Sequence, residues 1–411
     1  MKNEIKLTFV GDIMCQREQS AAAWSRHGTY AYDQTFAAVT GLFAESDYVI
    51  GNLETPIAGS SLEYTSESTR FNTPETFLDA LKTAGINFLS TANNHCLDRG
   101  VLGIQRTLEN LQSRGLDHTG TYATKESSEQ IFIKEIDGIK IALLSFTYGT
   151  NSEYYGEPLS DDEAWRVDLL KRQPRRATEN PQKRSLRNLI AAILPVRVKL
   201  AISALLGRVN RSVPDFVTDN VNPGEINSPE HYYFVERAKE KIQRAKNSAD
   251  FVIVLPHLGG QYNPSPGEYH KWTMQWILQT EVDAIIANHA HTPLRCERFR
   301  NGCIGAYALG NFCFTPHIGW FIPNSLAEYG VVLDLYISMR EKKTTRATFN
   351  IVKTVVDPDG FASVHLVSEL IANEKNAVAR ERLLVENEAV VNRFRGMAGS
   401  VSPQVNYTFS L

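Results

Sequence analysis

Long hydrophobic runs are missing from this sequence. No apolar stretch reaches the roughly 18 residues that a membrane-spanning helix requires, which argues against a transmembrane segment. The chain enters a strand pattern at Lys6, which leaves no room for a signal peptide. We therefore expect a cytoplasmic protein, with peripheral attachment to a membrane as an open alternative.

Cysteine is scarce, and its spacing is irregular. The five cysteines, an odd number, lie at positions 15, 96, 296, 303 and 313. Because they lack the paired spacing of zinc fingers, neither a disulfide framework nor a cysteine-rich metal site is predicted. We expect buried reduced thiols, with a redox or ligand role left open for Cys15 and Cys96.

Internal repeats and low-complexity tracts are absent too. Hydrophobic residues make up 43% of the sequence and charged residues 22%, which is typical of a soluble globular protein. The length of 411 residues fits one large domain or two ordinary ones.

The net charge of −3 hides one strongly basic segment. Residues 166–211 carry twelve Lys and Arg against two acidic residues, which leaves a net charge of −13 on the rest of the chain. Prolines interrupt the stretch from about 151 to 229, and its apolar part between Leu186 and Leu206 predicts two short helices with basic flanks. We interpret residues 151–229 as an insertion. Its role stays open between a solvated cap, a lid for an anionic substrate, a membrane-surface helix pair and an oligomer contact.

Strand and helix patterns alternate through the remaining chain. Apolar runs predict strands at 6–10, 48–50, 86–89, 250–255, 282–287, 304–312, 330–337 and 346–355. Residues 131–136 and 139–144 predict a β-hairpin. Helical spacing predicts helices at 75–84, 101–115, 232–246, 268–279 and 372–394. The order indicates an α/β protein.

A polar side chain follows several of these strands directly. The candidates are Asp12, Glu54, Asn94, His257, His289 and His291. Strand ends of an α/β sheet lie along one edge, so we expect these side chains to converge. Oxygen and nitrogen donors without a thiolate suit Mn, Zn or Fe. On an extended segment, His289 and His291 would point to the same side, because side chains repeat every two residues.

Each of these residues alone has a simpler explanation. Asp12 can cap a helix, and Asn94 can form a turn in which His95 caps the next helix. A single histidine after a strand is usually a structural residue. Six such residues at one predicted edge favour a metal site. His95, if free of the metal, can donate a proton or stabilise developing negative charge.

Six motifs resemble those of the CapA family, the poly-γ-glutamate capsule biosynthesis proteins of the calcineurin-like metallophosphoesterase superfamily. They are Gly11-Asp12-Ile-Met14, Gly51-Asn-Leu-Glu-Thr-Pro56, Ala92-Asn-Asn-His-Cys-Leu-Asp-Arg-Gly100, His257-Leu-Gly-Gly-Gln-Tyr262, Asn288-His-Ala-His291 and Tyr307-Ala-Leu-Gly-Asn-Phe312. The resemblance covers roughly residues 5–340. It implies an α/β fold, a four-layer α/β/β/α metallophosphoesterase-like sandwich of two mixed sheets flanked by helices. We expect a single domain over residues 1–411, with the insertion at 151–229 and a strand and helix extension at 340–411.

The resemblance also implies a role for each candidate. Glu54 would bridge two divalent ions, with Asn94, His257 and His289 at one ion and Asp12 and His291 at the other. His95 would be the general acid, oriented by Asp98. We further predict that Asn52, Asn93 and Asn311, which lie in the motifs, bind the substrate.

Three positions depart from the pattern of the superfamily or the family. Met14 stands where the superfamily usually has a histidine, so one ion is expected to be short of a ligand, and binding of one or two ions stays open. Asn288 replaces a glycine, and Gln261 replaces an acid.

Two functions are compatible with this resemblance. The first is a metal-dependent hydrolase or transferase that uses metal-activated water on an anionic substrate, either a phosphoester or a γ-glutamyl amide in polyglutamate or capsule biosynthesis. The alternative is a catalytically silent scaffold or accessory subunit of a membrane-bound synthesis complex, docked through the basic insertion. No nucleic-acid partner is expected.

Overall fold

The predicted strands assemble into two mixed β-sheets in a computed structural model of the protein. The structure describes residues 2–24, 28–66, 69–152, 159–173, 228–315 and 325–409. The two helices predicted between Leu186 and Leu206, and most of the predicted basic insertion, lie outside the described residues.

The first sheet contains nine strands. They are β1 (Glu4–Ile13), β2 (Tyr48–Leu53), β3 (Phe88–Ser90), β4 (Asp117–Thr119), β11 (Asn311–Cys313), β12 (Tyr329–Ser338), β13 (Thr344–Val356), β14 (Ala362–Leu366) and β15 (Tyr407–Phe409). Their order is β14-β13-β12-β1-β2-β3-β4, with β11 paired to β1 and β15 paired to β13. Strands β1 to β4 are parallel, whereas β12 to β14 pair antiparallel.

The second sheet contains six strands. They are β5 (Phe132–Ile136), β6 (Ile139–Thr147), β7 (Phe251–His257), β8 (Ala284–Ile286), β9 (Pro293–Arg298) and β10 (Ile304–Leu309), in the order β5-β6-β7-β8-β10-β9. Strands β5 and β6 form the predicted hairpin, whose turn residues Asp137 and Gly138 both have positive φ. This is the geometry that tight hairpin turns favour.

Helices cover the outer face of each sheet. Within the described residues they are α1 (Arg17–Ala23), α2 (Thr40–Phe43), α3 (Thr76–Ala84), α4 (Gly100–Ser113), α5 (Lys125–Ser128), α6 (Pro229–Lys246), α7 (Glu268–Leu278), α8 (Val367–Asn373) and α9 (Ala377–Arg395). None of the helices in this described part of the chain is both long enough and apolar enough to cross a membrane.

Alternate residues along the strands divide the hydrophobic core into layers. Leu7 of β1 and Ile253 of β7 belong to one buried cluster, which lies between the two sheets. Side chains at the alternate positions face outward. Val49 of β2 packs with α3 and α4, and Val254 of β7, the residue after Ile253, packs with α6 and α7. Because strand side chains alternate between faces, each sheet contacts helices on one side and the other sheet on its second side. The predicted four-layer sandwich is confirmed.

Two predicted helix boundaries are wrong because capping residues were overlooked. Helix α6 begins at Pro229 rather than at 232, since Ser228 accepts the His231 N–H and proline suits the first helical position. The single helix predicted at 372–394 is two helices. The side chain of Asn376 accepts the N–H groups of Val378 and Ala379 and so starts the second one.

All five cysteines are buried and free, as expected. Burial raises the pKa of Cys15 to about 11 and that of Cys96 to about 12. A thiolate is the form needed for metal binding or redox chemistry, so burial disfavours both roles at these two positions.

Candidate metal centre

The predicted donors converge at the carboxyl ends of strands from both sheets. Asp12 lies at the end of β1, Glu54 directly follows β2, and His257 ends β7. The prediction that all the donors lie along the edge of one sheet is therefore wrong. The first sheet supplies the carboxylates and Asn94, and the second supplies the three histidines, because the stacked sheets bring the ends of their parallel strands together.

The chain joins the two sheets beside Asp12. Strand β11 pairs with β1, and the Asp12 N–H donates to the Gly310 carbonyl at 2.9 Å. A Cβ at Gly11 would lie 2.0 Å from that carbonyl oxygen, so only glycine permits this approach.

The segment with His289 and His291 is not the extended chain that was predicted. Both residues have positive φ, 94° and 51°, in a region that side-chain-bearing residues rarely adopt. The His289 N–H donates to Asp12 Oδ2 at 3.1 Å, which ties this unusual backbone to the first sheet. Such strain is concentrated at functional sites.

Two groups of donors share Glu54. Glu54, His257 and His289 form one group, and Asp12, Glu54 and His291 form the other, with the ligand atoms of each group within 4.8 Å of one another. All of these side chains are buried. A carboxylate common to two groups can bridge two cations.

Asn94 adds a fourth donor to the first group. His257 Nε2 lies 2.8 Å from Asn94 Oδ1, 3.1 Å from His289 Nδ1 and 3.4 Å from Glu54 Oε1. Four oxygen and nitrogen atoms so close together match the number of ligands in a tetrahedral site.

The second group has three donors, and Asn311 orients one of them. Asn311 Nδ2 donates to the carbonyls of His291 and Ala327, so its Oδ1 accepts the His291 Nδ1 proton at 2.9 Å. This tautomer leaves a lone pair on His291 Nε2, which lies 3.6 Å from Glu54 Oε1. Metal-binding histidines commonly use their second nitrogen in this way.

The residues at this site are suited to a bound cation, because they bring together buried groups that cannot satisfy one another by hydrogen bonds. Neither Glu54 oxygen has a hydrogen-bond partner among the described residues, although the side chain is fully buried. Burial raises the pKa of Glu54, and burial together with the Glu54 charge raises the pKa of Asp12 well above its ordinary value. Burial and the neighbouring charges of His291 and His95 lower the pKa of His257 well below its ordinary value. A divalent cation compensates the buried carboxylates and accepts the lone pairs of neutral imidazoles.

His95 lies beside the two groups and contacts Asp98. His95 Nδ1 is 2.8 Å from Asp98 Oδ2, which also accepts the Phe71 N–H at 2.7 Å. Burial lowers the pKa of His95, but the charge and hydrogen bond of Asp98, with the charges of Glu54 and Asp12, outweigh burial and raise the pKa. The roles predicted for His95 and Asp98 stay predictions.

The three asparagines predicted to bind substrate contact protein groups in the structure. Asn52 donates to Asp12 Oδ1 at 2.7 Å and accepts from Ser90, while Asn93 donates to the Leu53 carbonyl and accepts the His95 N–H. Asn311 orients His291, and all three are buried. Their substrate contacts stay predictions, whereas their contacts with the candidate ligands and with the backbone of His95 are observed.

Met14 does not lie among the donors. Its side chain packs in a small apolar cluster with Phe71, Phe314 and Ala327. Phe314 in turn stacks on His291, with ring centroids 5.3 Å apart. Position 14, where the resemblance leads us to expect a histidine, therefore contributes an apolar side chain next to the site. The second group has three donors.

Sequence reasoning missed Asn151, which contacts His95. Its Nδ2 lies 3.3 Å from His95 Nδ1 and 3.4 Å from Nε2. The available signal was the polar segment after β6, which follows the same rule of polar residues at strand ends as the other candidates. It was not used because Asn151 is the first residue of the predicted insertion.

Known proteins resemble this chain over most of its length. The family described as bacterial capsule synthesis protein PGA_cap matches residues 6–316. The PGA biosynthesis protein CapA of Bacillus subtilis (strain 168) is 23% identical over 77% of this chain and 64% of its own length. The capsule biosynthesis protein CapA of Bacillus anthracis is 24% identical over 77% of this chain and 61% of its own. A solved structure, described as a novel phosphatase from Mycoplasma pneumoniae, is 14% identical with a TM-score of 0.41, over 85% of this chain and 94% of that one.

The chain spans about three fifths of the length of these two CapA relatives. The family match extends over three quarters of the sequence and includes every donor of both groups. On this basis the chain belongs to the family of the bacterial capsule synthesis protein PGA_cap.

Proposed function

We propose that this protein is a metal-dependent hydrolase or transferase that acts on an anionic substrate. The observation that carries the proposal is the buried Glu54 carboxylate, which has no hydrogen-bond partner among the described residues and is shared by two donor groups. A buried carboxylate that receives no hydrogen bond is costly, so a bound cation gives this arrangement its physical reason.

The donors divide between two positions. Glu54, Asn94, His257 and His289 would hold one ion, and Asp12, Glu54 and His291 would hold a second, with Mn, Zn or Fe as the metals suited to this donor set. When bound, the metal supplies Lewis-acid polarisation of a phosphoryl or acyl oxygen and lowers the pKa of water.

His95 supplies the proton for the leaving group in this proposal. Its Nδ1 is occupied by Asp98 at 2.8 Å, so the proton that reaches the substrate is held at Nε2. The raised pKa of His95 favours the protonated imidazole that a general acid requires. Asp98 holds the ring in the required orientation and does not touch the substrate.

The proposed substrate is an anionic compound of capsule or PGA biosynthesis. The names of the two Bacillus relatives place them in PGA or capsule biosynthesis. A γ-glutamyl amide or a phosphoester from such a pathway carries the negative charge that a cation site attracts. Association with a membrane synthesis complex through the basic insertion stays a prediction, because residues 174–227 lie outside the described residues.

A scaffold without catalytic activity is the second candidate. It is favoured by Met14, whose place in the apolar cluster leaves the second donor group with three ligands. A weakly bound second ion would limit hydrolysis while the fold keeps its shape.

Metal content and phosphodiester hydrolysis, measured on the same samples, test the proposal. Wild-type protein freed of metal with a chelator is titrated with Mn²⁺, and bound metal and hydrolysis of bis(p-nitrophenyl) phosphate are followed together. We expect Glu54→Gln to lower both metal affinity and kcat by about 100-fold or more. His95→Ala should keep the metal and lower kcat for diphenyl phosphate, whose leaving group needs a proton, by about 100-fold or more, since it removes the general acid.

Glu109→Gln is the matched control, because Glu109 is an exposed carboxylate on α4. It should retain the metal affinity and kcat of the wild type. Absence of bound metal, together with equal residual rates in the wild type and Glu54→Gln, contradicts the enzyme and supports the scaffold.

A further inference from the structure

The segment that leaves β6 lies against the loop that carries Asn94 and His95. The Asn151 N–H donates to the Asn94 carbonyl at 2.6 Å, and Asn151 Nδ2 lies 3.3 and 3.4 Å from the two ring nitrogens of His95. Asn151 therefore contacts both the proposed metal ligand and the proposed acid through different atoms.

The distances from Asn151 Nδ2 to the two ring nitrogens of His95 are nearly equal, and this defines where the amide lies relative to the ring. An atom in the imidazole plane and equally far from both nitrogens would clash with Cε1, so Nδ2 lies over the face of the His95 ring. An N–H group above an aromatic face is a weak attraction. Its effect here is geometric, because it restricts rotation of a ring whose Nδ1 is already held by Asp98.

Phe71 restricts the same ring from another element. Its ring packs edge-on to His95, with centroids 4.6 Å apart. With Asp98 in the ring plane and Asn151 over the face, the ring is held by three contacts. None of the three occupies Nε2 in the plane, which leaves that atom available to a substrate.

A buried glutamine holds the segment that carries Asn151. Gln173 Oε1 accepts the Thr150 N–H at 2.7 Å, and Thr150 Oγ1 bonds Ser152 Oγ at 2.7 Å. Gly149 makes room for the Gln173 amide, since a Cβ there would lie 3.0 Å from it.

Gln173 is itself anchored through the residues that precede it. The Leu170 N–H donates to the Thr147 carbonyl at 2.8 Å, and the Asp168 carboxylate accepts from Lys241 Nζ at 2.8 Å. Residues 168–173 thus run beside the end of β6, and they belong to the basic stretch that the sequence marks as inserted.

We propose that Asn151 is a positioning residue for His95, held in place by Gln173. The inference rests on the proposed function for its catalytic consequence, but not for the ring contact itself. It assigns the first described part of the insertion a direct role at the site. Correct orientation of the acid matters most when the leaving group needs a proton.

A leaving-group comparison tests the catalytic consequence. We expect Asn151→Leu, which keeps the side-chain shape without the N–H donors, to lower kcat for a phenyl phosphodiester by about 10-fold or more. With the p-nitrophenyl ester, whose leaving group needs little protonation, kcat should change by less than about 3-fold. KM and metal content should stay at their wild-type values, and Gln173→Leu should give the same selectivity with a smaller loss. Equal losses on both esters would overturn the positioning role.

NMR of histidine-labelled protein tests the ring contact without relying on activity. The His95 ring signals, assigned by their loss in His95→Ala, should shift or broaden in Asn151→Leu. The control Asn247→Leu, at an exposed asparagine that directly follows α6, should leave them unchanged. Unchanged His95 signals in Asn151→Leu overturn the inference. If the signals change while the wild type hydrolyses neither ester, the proposed function fails and the positioning of the ring stands.

Discussion

Two clusters of buried polar side chains in this protein are satisfied in different ways. The first, the Lys241 cluster, consists of Lys241, Asp168 and Tyr122. Lys241 Nζ donates to both Asp168 oxygens, at 2.9 and 2.8 Å, to the Tyr122 hydroxyl at 2.7 Å and to the Ser128 carbonyl at 3.1 Å. Every charge in this cluster therefore has a partner of opposite sign or a hydrogen bond.

The second, the Glu54 cluster, consists of the donors of the candidate metal centre. Its carboxylates are fully buried, and Glu54 has no hydrogen-bond partner among the described residues. His257 Nε2 and His289 Nδ1 face each other at 3.1 Å, although burial and nearby charges keep both imidazoles neutral.

The difference separates a structural role from a functional one. A buried ion pair with complete hydrogen bonding stabilises the fold locally and leaves nothing for a ligand to bind. A buried set of acceptors that face one another is stable only with an external cation or with added protons. Both clusters contain carboxylates that accept internal hydrogen bonds, and they differ in that neither Glu54 oxygen receives one from the described residues.

Breaking the Lys241 cluster should have the largest effect on stability. Lys241→Met removes the direct counter-charge of the largely buried Asp168 carboxylate and leaves only the charge of Arg237 near it, and we expect the free energy of unfolding to fall by about 3 kcal/mol. Urea denaturation measures the change. Adding Asp168→Leu to the same variant should restore most of the lost stability.

The Lys241 variant should still bind a divalent cation, because none of the candidate ligands belongs to that cluster. A loss of stability below about 1 kcal/mol would show that the pair is exposed enough to be screened by solvent. A loss of cation binding would show that the two clusters are coupled.

Filling the Glu54 cluster should have the next largest effect. At a free Mn²⁺ concentration about 100 times the Kd, binding should stabilise the native state by about 2.7 kcal/mol. Differential scanning calorimetry with and without Mn²⁺ measures this gain as a rise in Tm. Glu54→Gln should abolish the rise and make the metal-free protein more stable than the metal-free wild type. A rise of equal size in Glu54→Gln would contradict the shared-ligand geometry.

His270 sharpens the comparison, and its effect over a single pH unit is the smallest of the three. It is fully buried, neither ring nitrogen has a hydrogen-bond partner among the described residues, and burial lowers its pKa to about 3. Because the folded pKa lies below the unfolded value of about 6.5, its contribution to stability is present above pH 6.5 and is lost as pH falls toward 3. Each pH unit in that window costs about 1.4 kcal/mol.

The pH dependence of urea unfolding in His270→Leu tests this prediction. Between pH 6 and 4 the free energy of unfolding should fall less in the variant than in the wild type. The difference between the two slopes should be about 1.4 kcal/mol per pH unit, which corresponds to one proton bound on unfolding. Glu109→Gln, at an exposed position, should keep the slope of the wild type. If His270→Leu has the same slope as the wild type, a neighbouring group must stabilise the protonated His270 ring in the folded protein, which would contradict the prediction.

The sequence predicted the residue types of the site better than their arrangement. Asp12, Glu54, His257 and His289 each follow an apolar strand, and the strand pattern depends on local spacing that a sequence shows directly. The backbone of His289 and His291 was predicted wrongly, because left-handed φ values in non-glycine residues result from tertiary contacts such as the His289 N–H to Asp12 bond.

The contacts of the predicted insertion were also out of reach of the sequence. Asn151 contacts His95, and Gln173 contacts Thr150, across distances along the chain that no periodicity links. Met14 gives the reverse case: its departure from the expected histidine was visible in the sequence, but its apolar partners were not.

The sequence by itself determined the alternation of strands and helices, the position of a chemically suitable side chain at the end of several strands, and the resemblance to capsule synthesis proteins. These depend on neighbouring residues and on their order. Only the tertiary structure decided that the donors come from two sheets, that Glu54 belongs to both groups without a hydrogen-bond partner among the described residues, and that Asn151 lies over His95. The reason is that such contacts depend on how the two sheets stack, and stacking is set by the whole core between them.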